Sequence, residues 1–429
     1  MRILIVSRNT WDDSAGISST LSNLFEDFNP NDVAHLYIET KQPHTRHCNH
    51  FYQISEFGLI KKLYKWHYKT GYAFDSNGEQ HIDESAAAKE ESTFSYVRGH
   101  RSFFLSVLRE LLWLLNCWKT KELYQFLVDF NPDVIWFDGS PLLLMNRLYQ
   151  YVLKVTKKPA AIFLMDDVYT YDSCGSLSQK IYKYWLRKHV RRVVKSCKKV
   201  FVISPKMKRE YDELFAINST ILTKGITPIQ NYSIPEVHKP IRLVYLGQIM
   251  YGRLDTLVQL VNALQEVNKD AIKVVFSIYT NNEIPRETRD KWQSLSFVHV
   301  EKPVPYSEVP NVISQNDILL FVESFQKEQK SVARLSFSTK ITDYLASGKC
   351  IMGIGPSDIA PIEYLREEDA AIIVSDMSEI TGVLNRLSEE VVRNYARKSY
   401  ELGKKNHNKD FVHKTITEGL QSIVVSNTR

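Results

Sequence analysis

Short runs of apolar residues alternate along the chain with longer stretches in which apolar residues recur every three or four positions. The short runs predict buried strands, and the spaced stretches predict helices. The runs lie at 3–6, 33–38, 133–138, 160–165 and 199–205, and then at 241–246, 272–278, 297–300, 318–322, 350–354 and 371–374. Because strands and helices alternate, each group of strands is expected to pair in parallel through right-handed crossovers. The pattern therefore predicts an α/β fold with two doubly wound sheets.

A polar stretch punctuated by prolines separates the two groups of strands. The prolines are Pro228, Pro235 and Pro240. We predict an N-terminal domain at 1–230, a C-terminal domain at 231–405, and a helix at 406–429 that packs back toward the N-terminal domain. Residues 75–95 are polar with little apolar periodicity, so an insertion at about 70–98 is predicted to be a mobile loop.

The composition is that of a globular chain with more than one core. Its 429 residues exceed one ordinary core, which agrees with two large domains. Apolar residues make up 44% and charged residues 24%, close to globular averages, so global disorder is excluded. The five cysteines are scattered without a Cys-x-x-Cys pair, which indicates a reducing compartment. No apolar run reaches a signal sequence or the roughly 18 residues of a membrane span. We therefore expect a cytoplasmic protein, or one held on the inner face of a membrane.

Positive charge is concentrated at 180–199, where nine lysines or arginines and no acid occur. Three interpretations stay open: the exposed face of a domain helix that packs Tyr182, Trp185 and Val193 inward, a contact with an anionic membrane surface, or a grip on an anionic acceptor. No nucleic-acid partner is expected, because no stacking motif or known binding module accompanies the charge. The strongly apolar helix predicted at 103–115 is either a core helix or an interfacial membrane helix.

The stretch 336–356 has the pattern of a phosphate-binding helix followed by a strand. Serines and threonines at its start favour the N-terminus of a helix, and Gly348 favours its end. The free backbone N–H groups and the helix dipole at such an N-terminus suit a phosphate. Asp343 follows about one turn later, from where its carboxylate can reach a sugar hydroxyl attached to that phosphate. The stretch therefore predicts a nucleotide-sugar site.

At these residues the chain resembles the GT-B fold glycosyltransferases, in particular the group 1 glycosyl transferases. The matching segments are 338–349, which is similar to the family's donor motif, and the weaker matches 202–207 and 245–253. The resemblance covers 1–40 and the chain from about 130 to its end. It implies two Rossmann-like domains that face a cleft. It further implies a hexosyltransferase-like enzyme that moves a sugar from a nucleotide-diphosphate sugar to a glycan or lipid-linked acceptor, in surface polysaccharide or glycoconjugate synthesis.

The resemblance also implies roles on the donor side. Arg253, Lys340 and the backbone N–H groups of Ser338 and Thr339 are expected to hold the diphosphate, whose negative charge grows as the sugar leaves. An arginine suits this role because its planar fork can hold two phosphate oxygens. Asp343 is expected to bind the ribose, at a position where the family usually has Glu. The alternatives are that Arg253 is a solvated cation of the loop and that Asp343 is an ordinary acid on the helix surface.

The remaining candidates follow from their positions next to predicted strands and helices. Gly247 and Gly252 flank the loop that carries the arginine, and Gly16 at the start of the first helix permits a ligand to approach closely. Asp166 and Asp167 follow an apolar strand, where a parallel sheet presents functional side chains. Either can orient or deprotonate an acceptor hydroxyl, or else cap the next helix.

No metal and no cofactor are expected, since the nucleotide-diphosphate sugar is a substrate. The Asp-x-Asp signature for manganese, typical of the other major glycosyltransferase fold, does not occur in the chain. His44, His47, Cys48 and His50 are close in sequence. Spacing that dense on an irregular segment is more often chance than a zinc site.

One departure from the family leaves alternative functions open. The family often has a second Glu, which contacts the donor sugar, eight residues before its ribose-binding acid, but this chain has Leu335 there and only the distant Glu323 as a substitute. A degenerate protein that serves as a binding partner or scaffold is therefore one alternative, and a sugar-nucleotide epimerase or a phosphorylase is another. A dinucleotide-dependent oxidoreductase is disfavoured because the chain has no G-x-G-x-x-G sequence.

Overall fold

A computed structural model describes residues 1–13, 16–76, 103–170 and 176–425, without the side chains of 16–19, 103–106 and 306. The insertion predicted at about 70–98 therefore lies outside the described residues from 77 onward. Its first residues, Gly71–Asp75, form a strand. No helix within the described ranges is both long and apolar enough to cross a membrane.

The predicted α/β class with two parallel-sheet, Rossmann-like domains is confirmed. The chain divides into two compact units, one formed by 1–203, 208–222 and the residues from 413 onward, and the other by 204–207 and 223–412. The domain limits at 230 and 405 remain predictions from the sequence.

The first unit contains an eight-stranded sheet in the order β4-β3-β2-β1-β5-β6-β7-β8. Its strands are β1 (Ile3–Val6), β2 (Val33–Tyr37), β3 (His50–Ile54), β4 (Gly71–Asp75), β5 (Val134–Asp138), β6 (Ala160–Leu164), β7 (Lys199–Val202) and β8 (Thr220–Ile221). All neighbours pair in parallel except β4, which runs antiparallel to β3 at the edge. The central strands are buried on both faces, as parallel sheets covered by helices require.

Helices surround this sheet and use ordinary caps. They are α1 (Gly16–Phe25), α2 (Glu56–Lys62), α3 (Phe103–Leu114), α4 (Lys121–Phe130), α5 (Leu143–Thr156), α6 (Leu177–Ser196) and α7 (Pro205–Phe215). Ser176 caps α6 in a capping box with Gln179. Along α6, Val193 is buried as expected, but the expectation that Trp185 packs inward is wrong, because 47% of its surface is exposed.

The second unit contains a six-stranded, all-parallel sheet in the order β11-β10-β9-β12-β13-β14. Its strands are β9 (Ile241–Leu246), β10 (Val274–Tyr279), β11 (Val298–Glu301), β12 (Ile318–Val322), β13 (Cys350–Ile354) and β14 (Ile372–Val374). Its helices are α8 (Arg253–Val267), α9 (Arg286–Gln293), α10 (Val309–Ser314), α11 (Lys327–Ala333), α12 (Thr339–Ser347), α13 (Ala360–Glu367), α14 (Ile380–Asn385) and α15 (Glu389–Asn406). One hydrophobic core joins β9, β10, β12 and β13 to α8.

The last helix, α16 (Lys409–Val425), crosses from the second unit to the first at 412/413. In the first unit His413 binds Asp27 on the residues that follow α1, with Nδ1 and Oδ2 separated by 2.5 Å. Its Nε2 lies 2.6 Å from the backbone oxygen of Asn23. These contacts attach the end of the chain to α1.

The order of strands places a switch point in each sheet. In the second unit the chain proceeds outward from β9 through β10 to β11, and then returns to the other side of β9 with β12. In the first unit the same reversal falls between β1 and β5. Ligands of doubly wound sheets bind beyond the carboxyl ends of the strands at such a point. The residues that follow β9 and β12, and those that follow β1 and β5, are therefore where a site is expected.

Candidate functional site

The loop between β9 and α8 is held open by two glycines. Gly252 has φ 74°, and a Cβ there would overlap Ser324 Oγ. Gly247 has φ 155°, and a Cβ there would overlap the Lys340 ammonium. Both positions thus need glycine. The loop delivers Arg253 as the first residue of α8.

Arg253 and Glu323 form a bidentate pair across the switch point of the second sheet. The Nε–Oε2 distance is 3.0 Å and the Nη2–Oε1 distance is 2.8 Å. Both side chains are largely buried, at 22% and 10% exposed. Burial alone would lower the pKa of Arg253, but the hydrogen-bonded Glu323 carboxylate raises it. The guanidinium is therefore fixed as a cation at the carboxyl edge of β9 and β12.

Lys340 adds a second cation beside this pair. Its ammonium lies 5.5 Å from the centre of the Tyr245 ring, over the face of the ring. Burial, together with the charge of Arg253, lowers the pKa of Lys340 to about 8, while Glu323 opposes the shift. Within the described part of the chain, Lys340 makes no ion pair with a carboxylate. A desolvated lysine without its own counter-ion is suited to an anionic ligand.

Lys340 belongs to the first turn of α12, which is the helix predicted from the sequence. Ser338 is its N-cap and accepts a hydrogen bond from the Lys340 N–H at 3.4 Å, while the Ser338 carbonyl accepts one from Ile341 at 3.0 Å. Gly348 ends the helix in the left-handed region, with φ 62°. No hydrogen bond of the Thr339 N–H is present in the described ranges. The first turn therefore keeps a donor at the positive end of the helix dipole.

Asp343 lies one turn further along α12 and is already paired. Its Oδ1 is 2.6 Å from Nζ of Lys224, in the segment between β8 and β9. The lysine is 14% exposed and the acid 32% exposed, so the carboxylate keeps an accessible side. No local pattern marks Lys224 as a site residue, because its partner is 119 residues away. The acid expected to meet a ribose is thus positioned by a cation of the same unit.

The position that the family fills with a second Glu is part of the core here. Leu335 is fully buried, and its backbone oxygen accepts a hydrogen bond from Ser204 Oγ at 3.3 Å. A carboxylate at this position would lack water, so the leucine is explained by packing. Glu323, treated from the sequence only as a distant substitute, instead binds Arg253. The position of Glu323 directly after β12 could have marked it as a site residue. That inference, however, requires knowing that β12 lies next to β9 in the sheet.

In the first unit, Asp167 stabilises the turn that follows β6. Its Oδ1 accepts hydrogen bonds from the Tyr211 hydroxyl at 2.8 Å and from the N–H groups of Tyr169 and Thr170 at 3.1 and 2.7 Å. Its Oδ2 accepts the Thr170 hydroxyl. This geometry favours the capping interpretation for Asp167, whereas Asp166 is exposed. Their catalytic roles remain predictions.

Asp138 is a titratable group at the switch point of the first sheet that sequence analysis missed. It ends β5, is 9% exposed and accepts one hydrogen bond from Trp136 Nε1 at 3.0 Å. Burial raises the pKa of Asp138 to about 7, although the bond from Trp136 opposes the shift. Gly16, the first residue of α1, follows the loop after β1 on the other side of this switch point. Asp138 thus joins the acceptor-side candidates.

The structure tests metal-ligand geometry among the described residues. The histidines and the cysteine at 44–50 do not form a cluster of three ligand atoms there. Glu26, Asp27 and His413 do lie close enough. Both ring nitrogens of His413, however, already lie within hydrogen-bond distance of protein oxygens, on Asp27 and Asn23. These contacts connect His413 to α1 and to the residues that follow it.

Comparison with protein-family models and with curated protein sequences finds no match. Among solved structures, the chain is similar to the α,α-trehalose-phosphate synthase (UDP-forming) of Burkholderia xenovorans in complex with glucose-6-phosphate, with 12% identity, 98% of this chain and 100% of that chain covered, and a TM-score of 0.58. The chain is also similar to a glycosyltransferase from Rickettsia africae. The identity is 11%, 99% of each chain is covered, and the TM-score is 0.57. A third similar structure is the pneumococcal O-GlcNAc transferase GtfA in complex with UDP and GlcNAc. The identity is 13%, 70% of this chain and 60% of that chain are covered, and the TM-score is 0.51. At these identities the likeness shows the fold, and the predicted GT-B fold is confirmed.

The candidate residues thus fall into two groups. The structure brings together Gly247, Gly252, Arg253 and Lys340, with Ser338, Thr339 and Asp343 on the same helix as Lys340. Gly16, Asp166 and Asp167 belong to the other unit. The first group offers two cations, a helix N-terminus and a carboxylate about one turn away. This set of groups can hold a diphosphate and a ribose.

Proposed function

We propose that this chain transfers a glycosyl group from a nucleoside-diphosphate sugar to a hydroxyl of a glycan or lipid-linked acceptor. The observation that carries the proposal is the Arg253–Glu323 pair at the switch point, with the Lys340 ammonium and the N-terminus of α12 beside it. A nucleoside diphosphate presents the charges and hydroxyls that these groups complement.

The proposed reaction breaks the bond between the anomeric carbon and the diphosphate oxygen, and forms a bond from that carbon to the acceptor oxygen. The departing diphosphate gains negative charge, which Arg253, Lys340 and the Thr339 N–H stabilise. Asp343, held by Lys224, accepts a hydrogen bond from a ribose hydroxyl. The proton of the acceptor hydroxyl passes to a carboxylate of the first unit or to a phosphate oxygen.

The proposed reaction needs no metal and no cofactor. Arg253 and Lys340 supply positive charge at the leaving group, which is the role that a divalent cation plays in many phosphate sites. The N–H groups of Arg253 that do not bind Glu323 support this assignment, because they can donate hydrogen bonds to phosphate oxygens. Full activity in excess chelator is the expected result, and loss of activity that Mg²⁺ or Mn²⁺ restores would contradict it.

The first unit supplies the acceptor side in this proposal. Asp138 and Asp166 are the acids assigned to orient or deprotonate a hydroxyl, while the four hydrogen bonds that Asp167 accepts hold the turn after β6. The basic segment 180–199 supports an acceptor carried at the inner face of an anionic membrane. Synthesis of a surface polysaccharide or glycoconjugate fits such an acceptor.

Melting temperatures with UDP, GDP, CDP and ADP test the proposal. One of the four is expected to raise the melting temperature, and Arg253→Ala is expected to remove that rise. Turnover is then measured with sugars of the selected nucleotide, with and without added glycan or lipid acceptors. Failure of every nucleotide to bind would contradict the proposal. Isomer exchange or phosphorolysis without an acceptor would identify an epimerase or a phosphorylase instead.

A binding partner or scaffold with this fold is the second candidate. It is favoured by the burial of Leu335 in place of an acid and by the Asp343 carboxylate already paired with Lys224. Such a protein would keep its stability unchanged with every nucleotide and would bind another transferase tightly. The same melting experiment therefore separates the two candidates.

A further inference from the structure

Three helices of the first unit are joined through two buried acids. Glu56 on α2 accepts hydrogen bonds from Arg109 and Trp113 on α3, at 2.6 and 2.8 Å. Glu110 on α3 accepts one from the Tyr182 hydroxyl on α6, at 3.1 Å. The helix α3 is therefore joined to both α2 and α6. We call their exposed residues, with the turn after α2, the three-helix face.

The exposed side of α6 is apolar in its first half and basic in its second. The exposed apolar side chains are Leu177 at 75%, Ile181 at 53%, Tyr184 at 64% and Trp185 at 47%. The exposed cations that follow on the same side are Lys188, Arg192 and Lys195. Spacings of three, four and seven residues place these groups on one side of a helix. Four large apolar side chains on the exposed side of one helix are not expected where that side contacts only water.

The other two helices also carry exposed apolar side chains. On α3 and directly after it, Leu108, Leu111, Leu114 and Leu115 are 45–56% exposed. At the end of α2 and in the turn that follows, Ile60, Leu63, Tyr64 and Trp66 are 42–78% exposed. Exposed lysines accompany them at 65, 69 and 119. Apolar and basic groups are thus mixed over the three-helix face.

The distribution of tryptophan singles out this face. The chain has seven tryptophans. Five of them, at 11, 113, 118, 136 and 292, are no more than 2% exposed. The other two, Trp66 at 78% and Trp185 at 47%, both belong to the three-helix face. Tryptophan is enriched where one side of a side chain meets lipid and the other meets water.

The charges of the face have one sign. Segments 56–69, 107–119 and 176–199 contain two acids, Glu56 and Glu110, and both are 7% exposed and hydrogen-bonded as described above. Every exposed charge of these described segments is therefore positive. Two copies of the chain would bring like charges together across such a face, which opposes self-association. An anionic lipid surface complements both the charge and the exposed apolar area.

We propose that the three-helix face docks the protein on anionic phospholipid bilayers, with the apolar side chains among the acyl chains and the lysines and arginines at the phosphates. The inference rests on the proposed transfer, because docking there supplies a lipid-linked acceptor, and it extends the predicted contact at 180–199 to α2 and α3. Docking requires no nucleotide. Loss of vesicle binding with nucleotide binding retained would therefore count against docking alone, and the reverse result would count against the nucleotide site alone.

The test uses the full chain with vesicles of phosphatidylcholine alone and of phosphatidylcholine with phosphatidylglycerol. Co-sedimentation is expected with the anionic vesicles and to weaken at high salt. The tryptophan emission is expected to shift to the blue, and Trp66→Phe with Trp185→Phe should remove that shift. The triple variant Lys188→Ala, Arg192→Ala and Lys195→Ala should reduce binding by about tenfold or more.

The matched control is Arg397→Ala, Lys404→Ala and Lys405→Ala, which removes three exposed charges from α15 of the other unit. It should bind vesicles like the unaltered chain, and melting shifts with nucleotides should be retained in all variants. Absence of binding to anionic vesicles, or equal loss in the control, would overturn the proposal. Light scattering that shows a dimer, abolished by the Trp66 and Trp185 substitutions, would overturn it in favour of a second copy as the occupant.

Discussion

The Lys224 ammonium lies 2.6 Å from the Asp343 carboxylate, in the position where the resemblance places a ribose-binding glutamate. The shorter aspartate is thus held by a cation of its own unit. Because the acid remains 32% exposed, it can accept a ribose hydroxyl while it stays paired. In the proposed site, the pair takes the place of the longer glutamate side chain.

Replacing Asp343 tests this role by separating ribose from phosphate. Asp343→Asn should weaken binding of the preferred nucleoside diphosphate roughly tenfold, since a hydrogen bond to a charged group is lost. Binding of inorganic pyrophosphate, which has no ribose, should be unchanged in calorimetric titrations. Asp343→Glu serves as the control and should retain affinity. Equal losses for both ligands would show that Asp343 acts on structure instead.

The Arg253–Glu323 pair predicts two different effects for its two members. Arg253→Ala should lower nucleoside-diphosphate affinity roughly 100-fold, because the charge-assisted hydrogen bonds proposed between this side chain and the phosphates are removed. Glu323→Gln keeps the cation but breaks a largely buried pair, so the free energy of unfolding should fall by about 1–3 kcal/mol while affinity is retained. Urea unfolding and titration measure the two quantities. Unchanged affinity in Arg253→Ala would contradict the assignment of the phosphate site.

Lys340 predicts a pH dependence with a defined sign. With its pKa lowered to about 8, Lys340 is charged below that pH, so nucleoside-diphosphate affinity should fall as pH rises through 8 and above. Lys340→Met should bind more weakly at pH 7 and lose this step. Without ligand, the unfolded chain holds the lysine proton up to about 10.5, so the stability of the unaltered chain relative to Lys340→Met should rise from pH 8 to 10.5. A pH-independent difference between the two would contradict the burial of this cation.

Two adjacent acids of the first unit should behave differently. Asp167→Ala leaves the buried Tyr211 hydroxyl and two backbone N–H groups without their acceptor, so a stability loss of about 2–4 kcal/mol is expected. Asp166→Ala should cost less than about 1 kcal/mol, because this side chain is exposed. If Asp166 serves the acceptor, its variant should lower turnover while nucleotide affinity is unchanged. Comparable unfolding curves for the two variants would contradict the structural role of Asp167.

The fold was largely predictable where local pattern and tertiary packing agree. The strands 241–246, 318–322 and 350–354 were predicted with the observed bounds, because each is a largely apolar run in a sheet that is mostly buried on both faces. The end of α12 followed from Gly348, and the serines and threonines before it predicted its start, where the structure has Ser338 as the N-cap. β3 was missed, since its sequence mixes polar and apolar residues. Its existence depends on pairing with β2.

Residues of the candidate site could be predicted from the sequence only where a local motif identifies them. Arg253 and Lys340 were found through their motif, and the structure places them side by side. Lys224 and Glu323 were missed or undervalued, since their roles depend on contacts 119 and 70 residues away. Trp185 was predicted inward because helical periodicity does not distinguish a core face from an exposed apolar one.

Calorimetric titration of the full chain with UDP, GDP, CDP and ADP tests the central claim most directly. The double variant Arg253→Ala with Lys340→Met is titrated beside it, and Arg397→Ala with Lys404→Ala, which removes two charges elsewhere in the same unit, serves as the control. One nucleotide should bind the unaltered chain and the control equally, and the double variant at least roughly 100-fold more weakly. Absence of binding by all four nucleotides, or equal affinity in the double variant, would contradict a diphosphate site between β9, β12 and α12.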